Sequence, residues 1–110
     1  MGEEGYCLKI EPSSITITAN TAQGLFYARK TLEQLMLSDT IPCVTIEDTP
    51  RFSYRGFMLD SARHMQSVDD IKKIVDVAAL LKFNVFHWHL SDDQGFRIES
   101  EKFPELNVKG

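Results

Sequence analysis

No apolar run in this 110-residue sequence approaches the roughly 20 residues that a helix needs to span a bilayer, so no membrane partner is expected. Basic charge is also scarce: 12 Lys and Arg stand against 16 Asp and Glu, for a formal net charge of −4. Nucleic-acid binders normally present a basic face, and no nucleic-acid partner is expected here. Cysteine is limited to Cys7 and Cys43, which form no CxxC pair. They read as two buried free thiols, and a disulfide between them would require a geometry that sequence does not hold. The opening Met1-Gly2-Glu3-Glu4-Gly5 is acidic with no apolar core behind it, so it does not read as a signal peptide. There is no Gly-rich phosphate loop, no GxSxG elbow and no cysteine beside a histidine.

What is present is an ordinary globular composition, 43% hydrophobic and 25% charged, in a length that suits one compact domain. Its two halves follow different patterns. In the first, Tyr6 to Ile10 reads as a strand, Pro12-Ser13-Ser14 as a turn, and Ile15-Thr16-Ile17-Thr18 as a half-buried strand. Asn20 with Gln23 reads as a helix N-cap and its partner, opening an amphipathic helix that carries Leu25, Ala28, Leu32, Leu35 and Met36 to about Leu37. Val44-Thr45-Ile46 is a further short strand, and Glu47 to Arg51, with Pro50, is the linker.

The second half has a βα rhythm. Gly56 to Asp60 is a near-continuous apolar run ending in an acid, as a strand buried on both faces would be. Ser67 with Asp70 caps a helix whose apolar face is Ile71, Ile74, Val75, Ala78 and Leu81, with Asp69 and Asp70 facing its dipole. Asn84 to Leu90 is the next buried strand, and the spacing predicts a parallel βαβ unit. Phe103-Pro104-Glu105-Leu106 is too short to assign. Two strands with one crossover helix leave ladder edges and apolar faces open. This half therefore reads as the start of a larger fold, and self-association of the chain is expected.

The chemistry-bearing residues gather at strand ends: Asp60-Ser61-Ala62-Arg63-His64 after the first buried strand, His87-Trp88-His89 within the next, and Asp92-Asp93-Gln94 after it. Strand alternation places His87 and His89 on one face and Phe86, Trp88 and Leu90 on the other. Trp88 then reads as core packing. If the strands are parallel neighbours, Arg63 and Asp92 can meet, either as a structural ion pair or as a clamp on sugar hydroxyls. The residues alone leave both open. His87-x-His89 also fits a metal site with Asp92 or Asp93 as further ligands, although hydrogen-bonded histidines are the plainer reading.

Taken together, Pro50 to His64 (PRFSYRGFMLDSARH) and Leu81 to Arg97 (LKFNVFHWHLSDDQGFR) resemble the β-N-acetylhexosaminidases of glycoside hydrolase family 20. The resemblance implies an α/β fold class. Residues 1–49 would be the C-terminal part of the small α/β domain, and residues 50–110 the first two βα units of a (β/α)8 TIM barrel, incomplete in this chain. It implies release of terminal N-acetylhexosamine from glycans by substrate-assisted catalysis, in which the sugar's own acetamido oxygen attacks the anomeric carbon. It implies no cofactor and no metal. The family's catalytic Asp-Glu dyad follows its fourth barrel strand and is not in this chain. Arg63 and Asp92 match sugar-binding positions, which favours the clamp, while Asp60, His64, His89 and Asp93 match supporting positions around them. Arg55 matches a structural arginine, and Phe96 stands where Trp is common. The expected partner is an N-acetylhexosamine-containing glycan. The compartment stays open, the family being often secreted, periplasmic or lysosomal. Two alternatives come from other classes, a stand-alone interaction module and a metal-dependent hydrolase using His87 and His89.

Overall fold

Tyr6, Leu8 and Ile10 are buried while Lys9 and Glu11 are exposed, the alternation required of a strand with one covered face. The computed structural model describes residues 1–110, and the chain is of the mixed α/β class. It divides into two units, Met1–Ser53 with Ala79–Lys82, and Tyr54–Ala78 with Phe83–Gly110.

In the first unit β1 (Tyr6–Glu11), β2 (Ser14–Ala19) and β3 (Val44–Asp48) form a sheet in the order β2-β1-β3, both pairings antiparallel. Register places Leu8 between Ile17 and Ile46, and Lys9 between Thr16 and Thr45. One face is thus apolar and the other polar. Helix α1 (Ala22–Leu35) supplies Tyr27 and Ala28 to the core cluster with Tyr6, Leu8 and Ile10. Fully burying a side chain such as Leu8 contributes about 1.5–3 kcal/mol.

Several expectations for this half need correction. The N-cap of α1 is Thr21, not Asn20: its backbone is extended and its Oγ1 accepts from the Gly24 amide at 3.2 Å. Gln23 sits one position short of a capping partner and donates instead to Glu4 at 2.8 Å. The helix ends at Leu35, capped by Met36, and Leu37 is exposed. Both cysteines are free, but neither is buried. Cys7 falls on the polar face of β1, and Cys43 precedes β3.

In the second unit β4 (Gly56–Asp60) and β5 (Val85–His89) pair in parallel, Gly56 against Val85 through Asp60 against His89. Helix α2 (Val68–Leu80) connects them. Its start is as read from the sequence: Ser67 Oγ accepts from the Asp70 amide at 3.1 Å. Its end is a Schellman turn, with Phe83 N–H donating to Ala78 O and Lys82 N–H to Ala79 O, each at 3.0 Å. Lys82 takes the left-handed conformation there, φ 63°. A short helix, α3 (Glu105–Lys109), follows.

The strands are not buried on both faces. Met58 is 58% and Trp88 43% exposed, on opposite faces of the two-stranded ladder. Val75 and Leu81 of the expected helix face are exposed too. Trp88 is therefore not a core residue in this chain. It stacks on Phe86, which stacks on Phe57, and its Nε1 donates to Ser61 Oγ at 2.9 Å.

Candidate functional site

Parallel pairing brings the C-terminal ends of β4 and β5 to one side, as α/β folds do where they build sites. Asp60 and His89 close the two strands in register, on the face that also carries Met58 and His87. Ser61 N–H continues the ladder to His89 O at 2.9 Å.

Each of the two acids divides its oxygens between two tasks. Asp60 Oδ1 accepts from the Ala62 and Arg63 amides at 3.0 Å each, folding the loop after β4. Its Oδ2 lies 3.7 Å from Arg63 Nε. Asp92 Oδ1 accepts from the Gln94 amide at 2.7 Å and the Gly95 amide at 3.2 Å, folding the loop after β5. Its Oδ2 faces His89 Nε2 at 3.1 Å and Arg63 Nε at 3.4 Å. One oxygen shapes the local turn and the other joins the site. This explains why acids stand at these two strand ends: a short carboxylate can accept from amides two or three residues ahead.

The Asp92 side chain is only 13% exposed, while Arg63 is 57% exposed. The carboxylate is thus held from beneath, and the guanidinium presents donors to solvent. The Gln94 amide, then His89, hold the Asp92 carboxyl below its usual pKa; partial burial opposes them, and the Gly95 amide and Arg63 add smaller contributions.

The expected Arg63–Asp92 approach is present, braced by Asp60 and His89. His64 and Asp93 are both exposed. His87 is exposed and stands outside the group of metal-ligating types, whose potential ligand atoms lie within 4.8 Å of one another: Asp60, His89 and Asp92. Arg63 Nε stands within 4.0 Å of an oxygen of both acids, so this group already has a cation of its own.

Two residues escaped the sequence reading. Arg97 donates from Nε to Ser61 O at 3.0 Å and from Nη2 to Ala62 O at 3.1 Å. Gly95 is buried, and a Cβ there would lie 2.2 Å from Ala62 O, so only glycine permits this approach. The glycine after the acid pair was a visible signal. Arg97, apart from ending the motif, had none.

The family model for the catalytic domain of glycosyl hydrolase family 20 matches residues 52–110, and that for domain 2 of the same family matches residues 1–49. The chain belongs to glycosyl hydrolase family 20. Among its relatives, a beta-hexosaminidase of Porphyromonas gingivalis is 45% identical over 98% of this chain and 15% of its own length. The human beta-hexosaminidase subunit beta is 42% identical over 98% of this chain and 20% of its own length. Among solved structures, the beta-N-acetylhexosaminidase of Bacteroides fragilis matches with a TM-score of 0.89 at 42% identity, covering 94% of this chain and 22% of that one. A family 20 exo beta-N-acetylglucosaminidase of Vibrio harveyi, solved with N-acetylglucosamine, matches with a TM-score of 0.88 at 43% identity over 96% of this chain and 18% of that one. The chain spans about a fifth or less of the length of these relatives.

Proposed function

We propose that this chain forms one wall of the sugar pocket in a longer β-N-acetylhexosaminidase, an enzyme that removes terminal N-acetylhexosamine from glycans. Residues 1–49 belong to the small α/β domain, and residues 50–110 are the first two βα units of a (β/α)8 barrel. The observation that carries the reading is the Arg63–Asp92 ion pair, 3.4 Å across the ends of adjacent parallel strands, with the guanidinium open to solvent. Arg63 donates to vicinal hydroxyls of the terminal sugar with a fixed fork of N–H groups and needs no proton change to do so. Asp92 accepts from a hydroxyl while orienting Arg63. Reaction at the anomeric carbon is assisted by the sugar's own acetamido oxygen and by an Asp-Glu dyad outside these residues. The family kinship of the chain supports that assignment.

Kinetics test the reading. Hydrogen bonds to charged groups contribute about 1.5–3 kcal/mol, so Arg63→Ala in the enzyme that carries this segment lowers kcat/KM on an aryl N-acetylglucosaminide roughly 10- to 150-fold. The 110-residue chain alone is expected to give no turnover on the same substrate. An unchanged kcat/KM in Arg63→Ala removes the sugar-contact role. We also infer that the isolated chain self-associates through the exposed face bearing Trp88 and the open β4–β5 edges. Light scattering showing a monomer at high micromolar concentration rejects that inference.

A further inference from the structure

The Arg97 side chain hydrogen-bonds to neither Arg63 nor Asp92, yet it is tied to the loops that carry both. Two backbone bonds close the Asp92 loop, the second from Arg97: Asp92 N–H donates to Gly95 O, and Arg97 N–H to Leu90 O, each at 2.9 Å. The Arg97 side chain reaches across to the other loop. Nε and Nη2 donate to the carbonyls of Ser61 and Ala62, the two residues immediately before Arg63, at 3.0 and 3.1 Å. Nη1 donates to Gly110 O at 3.1 Å. Ser61 and Ala62 are both buried, so these carbonyls have little water to turn to if the guanidinium is removed. A planar fork can hold two successive carbonyls at once, whereas an ammonium is a single point.

The remaining ties do a different job. Ser61 is held to β5 by its amide on His89 O and by the Trp88 indole on its hydroxyl. These bonds fix the start of the Arg63 loop against a strand. The Arg97 side chain fixes that loop against the Asp92 loop, where Gly95 leaves room for the approach.

We propose that Arg97 is a positioning residue: by clasping the Ser61 and Ala62 carbonyls from the Asp92 loop, it sets the Arg63–Asp92 separation on which sugar binding depends. The inference rests on the sugar-contact reading given above. Arg97 acts through Arg63 and Asp92 and makes no contact with sugar itself. Misplacement by about 1 Å at a distance from the chemistry can cost on the order of 100-fold in rate.

A double-mutant cycle tests this in the enzyme that carries the segment, with kcat and KM measured per folded molecule on an aryl N-acetylglucosaminide. Arg97→Ala is expected to lower kcat/KM about 10- to 100-fold, mainly through KM, with Arg97→Lys between it and the parent. In the Arg63→Ala background the further loss on adding Arg97→Ala is expected to be about twofold or less, because the group being positioned is gone. Losses that multiply independently overturn the clasp. So does an Arg97→Ala protein with a lower Tm but an unchanged kcat/KM, since the bonds would then be structural only. If Arg97→Ala does not fold, Arg97→Lys is carried through the same cycle, and an unchanged kcat/KM there overturns the clasp. A silent Arg63→Ala means that the sugar-contact reading has failed and the clasp with it. A costly Arg63→Ala beside a silent Arg97→Ala removes the clasp alone.

Discussion

The first unit is held by apolar burial and the second by hydrogen bonds. Tyr6, Leu8, Ile10, Tyr27 and Ala28 form one buried cluster between the β2-β1-β3 sheet and α1. The buried apolar residues of the second unit are Ala62 and Ile71, and its aromatic side chains on β4 and β5 lie against each other at the edge of solvent. What organises its strand ends is polar: Asp60 and Asp92 each accept from two amides of their own loop, and Arg97 joins the two loops. Each such bond, made by a charged group, contributes about 1.5–3 kcal/mol, and it is directional where apolar packing is not. A core sets whether a unit is folded; a set of aimed bonds sets where Arg63 and Asp92 stand.

The largest expected effect tests the apolar side of that contrast. Leu8 is fully buried, and Leu8→Ala should destabilise the first unit by about 2–5 kcal/mol. Urea unfolding followed through the Tyr6 and Tyr27 resonances measures it. A loss under about 1 kcal/mol would mean that the cluster is not what holds this unit. The polar side is broken more gently. Gly95→Ala places a methyl where Ala62 O stands 2.2 Å away, so one loop must shift. The expected cost is about 1–3 kcal/mol, with NMR shift changes concentrated in residues 60–66 and 89–97. Unmoved Ser61, Ala62 and Arg63 amides would show that the two loops do not meet as described.

The contrast also governs what could be read from sequence. The first unit was legible as strand, strand, helix, strand because Tyr6, Leu8 and Ile10 alternate in a sheet with one covered face. Its N-cap was misplaced by one residue because Asn20 and Thr21 are both good caps, and only the extended backbone at Thr21 decides between them. In the second unit the apolar runs gave the strands but overstated their burial. Met58 and Trp88 lie on a two-stranded ladder that the rest of the described chain does not cover. The Arg63–Asp92 approach followed from parallel strands alone. His64 and Asp93 were placed around it by the family resemblance, and both are exposed. Arg97 was not legible because its partners are backbone carbonyls 35 and 36 residues away, which no side-chain pattern announces.

The smallest expected effect separates the two regions by salt and acid. Glu11 in the first unit and Asp92 in the second are both held below their ordinary carboxylate pKa, for different reasons. Glu11 owes its shift first to the hydrogen bond and charge of Lys9, whose Nζ lies 3.0 Å away on the exposed face of β1. Asp92 owes its shift first to the Gln94 amide and then to His89, with Arg63 the smallest contributor. A depressed folded-state pKa means that the stabilising contribution is complete above the unfolded-state value, about 3.9 for Asp, and is lost as pH falls through the lower folded value. Acid should therefore weaken the Asp92 loop below about pH 4, and Asp92→Asn should remove that dependence. At about 1 M salt the screening length shrinks to roughly 3 Å, which strips most of the Lys9 charge from Glu11 but leaves backbone bonds in place. NMR titration of both carboxyls at low and high salt should show the Glu11 midpoint rising towards its ordinary value while the Asp92 midpoint stays low. Equal salt sensitivity at the two acids would mean that Asp92 is held by charge, and that its loop is not organised by the amides of Gln94 and Gly95.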